Sequence, residues 1–160
     1  MKKAFLLLFL LSCSFINAQY DAKKLQTKQD YTAANKQVLE ASKYVLSVPY
    51  DESNQKRTEA VQYILKWMDG SPDYSFTIDA DIMDKVVAKD NGLLGIYMAC
   101  MAKFCLENEA YANDSKIVKI SAIKLIIAYA ENPKNKVKMS KPLKKLADAD
   151  KKGELEREFQ

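Results

Sequence analysis

LLGIYMACMAKFCLE, residues 93–107, is the stretch on which the fold turns. It carries one base, Lys103, and one acid, Glu107, four apart and therefore on one edge of a helix. Every other direction around such a helix is apolar, and a helix apolar nearly all round is a buried one. The run is shorter than the ~20 apolar residues that cross a bilayer. It therefore predicts a central helix with others packed around it, not a membrane span. Its two thiols, Cys100 and Cys105, fall roughly 7.5 Å apart along a helix axis and project about 140° apart. A disulfide needs Cα atoms within about 7 Å and converging Cβ vectors, so these cysteines are expected as buried free thiols, with an intermolecular or redox role as the alternative.

Working outward, Asp90-Asn91-Gly92 marks a turn before the central helix. After it, Asp114 or Ser115 can cap a helix reaching Glu131, with Ile117, Val118, Ala122, Leu125, Ile126 and Tyr129 on its buried face. Ser140 caps another, Lys141 to about Lys152, with Pro142 in its first turn. Upstream, helical spacing of apolar residues runs from Ala33 to Val48 and stops at Pro49. From about Ser53 to Asp69, Arg57, Ala60, Val61, Ile64, Leu65, Trp67 and Met68 share one arc, Gly70 is a natural left-handed terminator, and Pro72 forbids continuation. A short helix is expected from Asp79 to Ala88. Tyr74 to Ile78 can be extended, but no segment alternates like a strand. The expected fold is all-α: one domain of five or six helices, arranged as stacked helical hairpins or an irregular bundle.

Two helix ends resemble the tetratricopeptide repeat. Leu125, Ala128 and Pro133 fall where that repeat has its aromatic, Ala and Pro; Ala60, Ile64 and Pro72 fit similarly, although Trp67 stands where a small Ala belongs. No 34-residue period emerges, so the resemblance implies stacked hairpins and nothing about activity. The segment Trp67-Met68-x-x-x-Pro72-Asp73-Tyr74-x-Phe76 also resembles one found in uncharacterised small secreted helical proteins of Bacteroidota, which implies export and no particular chemistry.

The first residues, MKKAFLLLFLLSCSFINAQ, have the layout of a secretory signal peptide. Lys2 and Lys3 precede an apolar run from Ala4 to Leu11, and small and polar residues lead to Ala18. Residues 1–18 are read as the signal, and 19–160 as the exported domain, periplasmic or secreted. The ending Ile16-Asn17-Ala18-Gln19 resembles signal peptides of the Bacteroidota. Leu10-Leu11-Ser12-Cys13 loosely fits a lipobox, but Phe15 and Ile16 prolong the apolar run where a lipoprotein turns polar. Gln19 to Tyr31 is polar and expected to be loosely ordered.

Losing Lys2 and Lys3 leaves 23 of the 25 basic residues against 21 acidic ones, a balance of +2 in place of +4. Such a chain has no global field to draw nucleic acid or anionic lipid. Only Arg57 and Arg157 among the bases are Arg, the residue that bidentate recognition of bases and phosphates favours, so no nucleic-acid partner is expected. There is no His. That removes the commonest general base, the His-dependent triads and most zinc sites.

The remaining motifs are weak. Asp148-Ala-Asp150-Lys-Lys-Gly153 begins like a calcium loop, but Lys152 stands where an oxygen ligand belongs and Phe159 where a bidentate Glu does, so the segment reads as a helix ending at Gly153 followed by a charged tail. Asp79, Asp81 and Asp84 suit the first turn of a helix. Ser53-x-x-Lys56 and Ser121-x-x-Lys124 occur about as often as chance provides and lack companion motifs. No cofactor and no metal is expected.

Two groups remain as candidate binding residues. Trp67, Tyr74 and Phe76 flank Gly70-Ser71-Pro72-Asp73 and either line a groove for a peptide or glycan or pin the loop to the core. Lys134, Lys136, Lys138 and Lys141, continued by Lys144 and Lys145, form a basic run that is either a solvated face or a dock for an acidic partner or lipid headgroups. The function expected is an exported, non-enzymatic helical module that binds a protein or peptide of the cell envelope. The alternative is a small carboxylate-based enzyme or ligand-binding protein.

Overall fold

The computed structural model describes residues 20–88 and 92–159; the expected leader, residues 1–18, and most of the Asp90-Asn91-Gly92 turn lie outside them. Among the described residues seven α-helices form: α1 (Lys28–Ala33), α2 (Asn35–Ser47), α3 (Gln55–Gly70), α4 (Ala80–Ile82), α5 (Gly92–Glu107), α6 (Ser115–Glu131) and α7 (Lys141–Lys151). No described residue is in a strand. The chain is all-α, as expected, and Tyr74 to Ile78 is irregular.

The organising element is α5. It packs against α2, α3 and α6, so side chains all round it leave water: Leu93, Cys105 and every residue from Ile96 to Ala102 are buried. Lys103 and Glu107 pair along the one edge left polar, and Lys43 joins Glu107 from α2 at 3.0 Å. No described helix is long and apolar enough to cross a membrane.

Helix starts are fixed by polar side chains that satisfy first-turn N–H groups. Asn54 Oδ1 accepts from the Arg57 N–H at 3.0 Å, so α3 begins slightly later than the Ser53 start expected. Asp114 Oδ1 accepts from Lys116 and Ile117, both at 3.0 Å, and Ser140 Oγ from Leu143 at 3.2 Å.

Four expectations are corrected. Residues 20–31, expected to be loosely ordered, instead pack: Tyr20, Leu25 and Tyr31 are buried, and Thr27 and Asp30 close a capping box on α1. Tyr20 lies between the rings of Tyr44 and Tyr63, 6.5 and 5.9 Å away. Gly70 is not a left-handed terminator; among the described glycines only Gly153 has positive φ. Its missing Cβ makes room for the Tyr31 ring, whose nearest atom would lie 2.1 Å from a methyl at that position. The helix expected from Asp79 to Ala88 is α-helical only to Ile82. It then widens to a π turn over Met83–Val87, closed by the Ala88 N–H on the Met83 carbonyl at 2.7 Å. Finally, the residues after Gly153 are no free tail. Leu155–Phe159 form a 3₁₀ turn with Leu155 buried, and Lys85 and Lys145 bond to Glu158.

Candidate functional site

The three aromatics singled out from sequence come together. Trp67 is fully buried on α3, and Tyr74 and Phe76 stack on it with ring centroids 5.3 and 5.6 Å away. The indole N–H donates to the Tyr31 carbonyl at 3.0 Å and to Asn35 Oδ1 at 3.1 Å. With both ring faces covered and its one donor used, Trp67 has nothing to offer a partner. Tyr74 and Phe76 are half-buried and hold the loop onto it, which is the pinning arrangement in place of the groove.

Lys134, Lys136, Lys138 and Lys141 are exposed and separate from the aromatics. Lys134 and Lys136 sit in and just after a 3₁₀ turn (Pro133–Asn135), with Lys136 left-handed at φ 57°. Asp148 and Asp150 lie within α7, and Gly153, at φ 72°, ends it; the Glu154 N–H reaches the Ala149 carbonyl at 2.9 Å. That segment is a helix terminus, and no cluster of potential metal ligands exists among the described residues. Cys100 and Cys105 are buried free thiols.

A cleft between α3 and α5 is the main feature that sequence reasoning missed. It has a volume of about 270 Å³. Its apolar wall is Val61 and Leu65 from α3 and Leu94 from α5; Leu65 is 38 % exposed. The helices approach closely because position 95 is glycine: a methyl there would come within 2.9 Å of Val61. Exposed Thr58 and Gln62 line the rim.

Arg57, on the first turn of α3, also lines this cleft and is 5 % exposed. Its guanidinium lies 4.8 Å from the Tyr50 ring centre and beside the Tyr129 hydroxyl, which donates to the Val48 carbonyl at 2.8 Å. Burial raises the proton affinity of that hydroxyl, and the Arg57 charge opposes the shift. No described carboxylate forms an ion pair with Arg57, and its Nε and Nη2 have no hydrogen-bond partner. Glu52 at the mouth is turned onto the Tyr50 hydroxyl at 2.8 Å, and Asp51 onto Ser53 at 2.9 and 2.7 Å. A buried cation without a direct ion pair is costly, so it is the least expected group in this core, although the Asp51 carboxylate on the preceding connection feels its charge. One signal existed in the sequence: an Arg on the apolar arc of α3 in a chain whose other bases are nearly all Lys.

A smaller cavity of about 120 Å³ lies between Phe76, Asp79, Tyr97 and Lys119. Lys119 pairs with Asp79 and holds its carboxyl below the ordinary range. The buried Tyr97 hydroxyl has no partner, and burial first, then the Asp79 charge, holds its proton on. No second carboxylate lines the cavity beside Asp79.

Comparison of the chain with protein-family models, curated proteins and solved structures finds no match.

Proposed function

We propose that the protein is an exported helical module that binds a peptide or protein of the cell envelope in the cleft between α3 and α5. One observation carries this: an apolar trough, with Leu65 open to solvent, ends on the buried and unpaired Arg57. Binding sites combine apolar walls with a few fixed polar groups in this manner. Neither cavity holds two carboxylates with opposed proton affinities, which acid–base hydrolysis would use; that favours binding over the enzymatic alternative. Export rests on the leader at residues 1–18.

Two measurements test the proposal. A photo-crosslinking residue placed at Leu65 is expected to capture a discrete envelope partner in living cells, while the same residue at Lys138 captures none. Capture at Lys138 alone would move the interface to the basic run. Mass spectrometry of the mature N-terminus is expected to find a start near Gln19; an acylated Cys13 or an intact Met1 would refute the processing.

A further inference from the structure

The two unpaired nitrogens of Arg57 are not an arbitrary pair. Nε and Nη2 form one edge of the planar guanidinium, the side that meets a carboxylate through two parallel N–H···O bonds. Both are closed off from solvent and without a partner, while the rest of the group is occupied by the Tyr50 ring and the Tyr129 hydroxyl. Its binding edge is therefore the part left over.

We infer that this edge anchors the C-terminal carboxylate of a peptide whose last side chain is apolar. The assignment rests on the cleft being the binding site and adds the chemistry of what enters it. Three features fix the class of ligand. The unpaired cation selects an anion, and the fork shape selects a carboxylate over a point charge. The wall of Val61, Leu65 and Leu94 selects an apolar group attached to it. The volume sets the size: a cavity of about 150 Å³ holds benzene, so the 270 Å³ cleft takes one large side chain together with its carboxylate. Thr58 and Gln62 on the rim supply donors and acceptors for a peptide backbone running out to solvent.

Entry requires the closed Nε–Nη2 edge to open, and the Tyr50 ring lies over the guanidinium beside it. The Tyr50 ring covers the guanidinium from the connection between α2 and α3, and that connection is itself tied down by the Tyr50 N–H on the Asn135 carbonyl at 3.0 Å. Rotation of the ring about χ1 leaves this bond intact. Glu52 leaves with the ring, since its carboxylate is bonded to the Tyr50 hydroxyl. It remains a like charge near the incoming carboxylate, so the site favours ligands with no acidic residue beside the terminus.

The test is calorimetric titration of the protein with N-acetyl-Ala-Ala-Leu as the free acid and as its C-terminal amide, with backbone amide shifts in α3 and α5 recorded alongside. The acid is expected to bind about tenfold or more tightly than the amide, the discrimination of a charge-assisted hydrogen-bond pair. Arg57→Met is expected to bring the ratio to about one without lowering Tm, because it removes a buried unpaired charge. Arg57→Lys keeps the charge, loses the fork, and is expected to lower the ratio several-fold. Glu52→Gln is expected to tighten the acid and leave the amide unchanged. Equal affinity of acid and amide overturns the carboxylate assignment while leaving the cleft as the site. A lowered Tm in Arg57→Met with the ratio intact makes Arg57 a structural residue and overturns it too. Octanoate binding where neither peptide binds overturns the peptide class. Shifts outside α3 and α5 only, with either peptide, reject the cleft itself.

Discussion

Trp67 and Tyr31 hold each other in place twice over. The indole N–H of Trp67 donates to the Tyr31 carbonyl at 3.0 Å, and the Tyr31 ring lies on Gly70, within one turn further along α3. Through this pair α1 is clamped to the end of α3, and the aromatic loop packs against the same indole.

Replacing Trp67 by Phe keeps a ring in the site and deletes the N–H that reaches Tyr31 and Asn35. The expected loss is about 1–3 kcal/mol of unfolding free energy, measured by urea titration under far-ultraviolet circular dichroism. A change below about 0.5 kcal/mol would mean that the clamp is carried by ring packing alone.

Tyr74 and Phe76 are expected to behave as part of the core. Tyr74→Ala or Phe76→Ala should lower Tm by several degrees through lost aromatic contact with Trp67. Charge reversal at the exposed Lys136 and Lys138 should leave Tm unchanged. Unaltered melting in the aromatic variants would return these residues to the surface role that the sequence also allowed.

The thiols provide a chemical test of the central helix. Burial pushes Cys105 up to about 11 and raises Cys100 as well. A protonated, enclosed thiol is a poor nucleophile. Neither is expected to react with a disulfide reagent at about pH 8 in the native protein, and both should react in denaturant. Because the folded state holds these protons more tightly, stability should fall as pH rises from the ordinary thiol range toward 11. Rapid labelling of the native protein would show that α5 opens readily.

Asp79 predicts the behaviour in acid. Lys119 holds its carboxyl below the ordinary range, with a smaller contribution from the Ile82 N–H. A lowered folded value means stabilisation that is full above the ordinary carboxyl range and lost as pH falls through the folded value. Asp79→Asn retains the cap on Ile82 and loses the charge. It should cost up to about 1 kcal/mol at neutral pH, given the partial exposure of the pair. Thermal melts should show that deficit shrinking as pH falls below the ordinary carboxyl range. A deficit independent of pH would assign the effect to the cap.

Ala99 and Ala102 are fully buried in α5, three residues apart and so on one face of the helix. Ala99→Leu adds atoms where none fit and should cost about 1–3 kcal/mol, read from the same urea titration. Tolerance of Leu at Ala99 would contradict the close packing of the central helix.

The central helix and most of its companions were legible because their apolar residues recur at the helical period, and two of their starts because Asp114 and Ser140 are capping types. Residues 20–31 were not, since Tyr20, Leu25 and Tyr31 are anchors spaced five and six apart among polar neighbours, a pattern with no helical or strand period. The widening after Ile82 leaves no mark in composition. The candidate site was half visible. Arg57 stood on the apolar arc of α3, but its lack of a direct ion pair depends on where Asp51 and Glu52 turn, and that is decided by Ser53 and Tyr50. The volume of the cleft depends on how α5 lies against α3, which only the packed chain defines.

Tyrosine rings resting on glycines occur at two places, Tyr31 on Gly70 and Tyr50 on Gly92. Each glycine is a socket for a side chain far away in sequence, so neither position is free to vary by itself. A lineage that acquired a methyl at residue 70 or 92 would have to shrink or reorient the matching tyrosine. Because Tyr50 also lies over Arg57, mutational drift at Gly92 would be transmitted through the tyrosine ring to the guanidinium, and the glycine acts as a remote control on its surroundings.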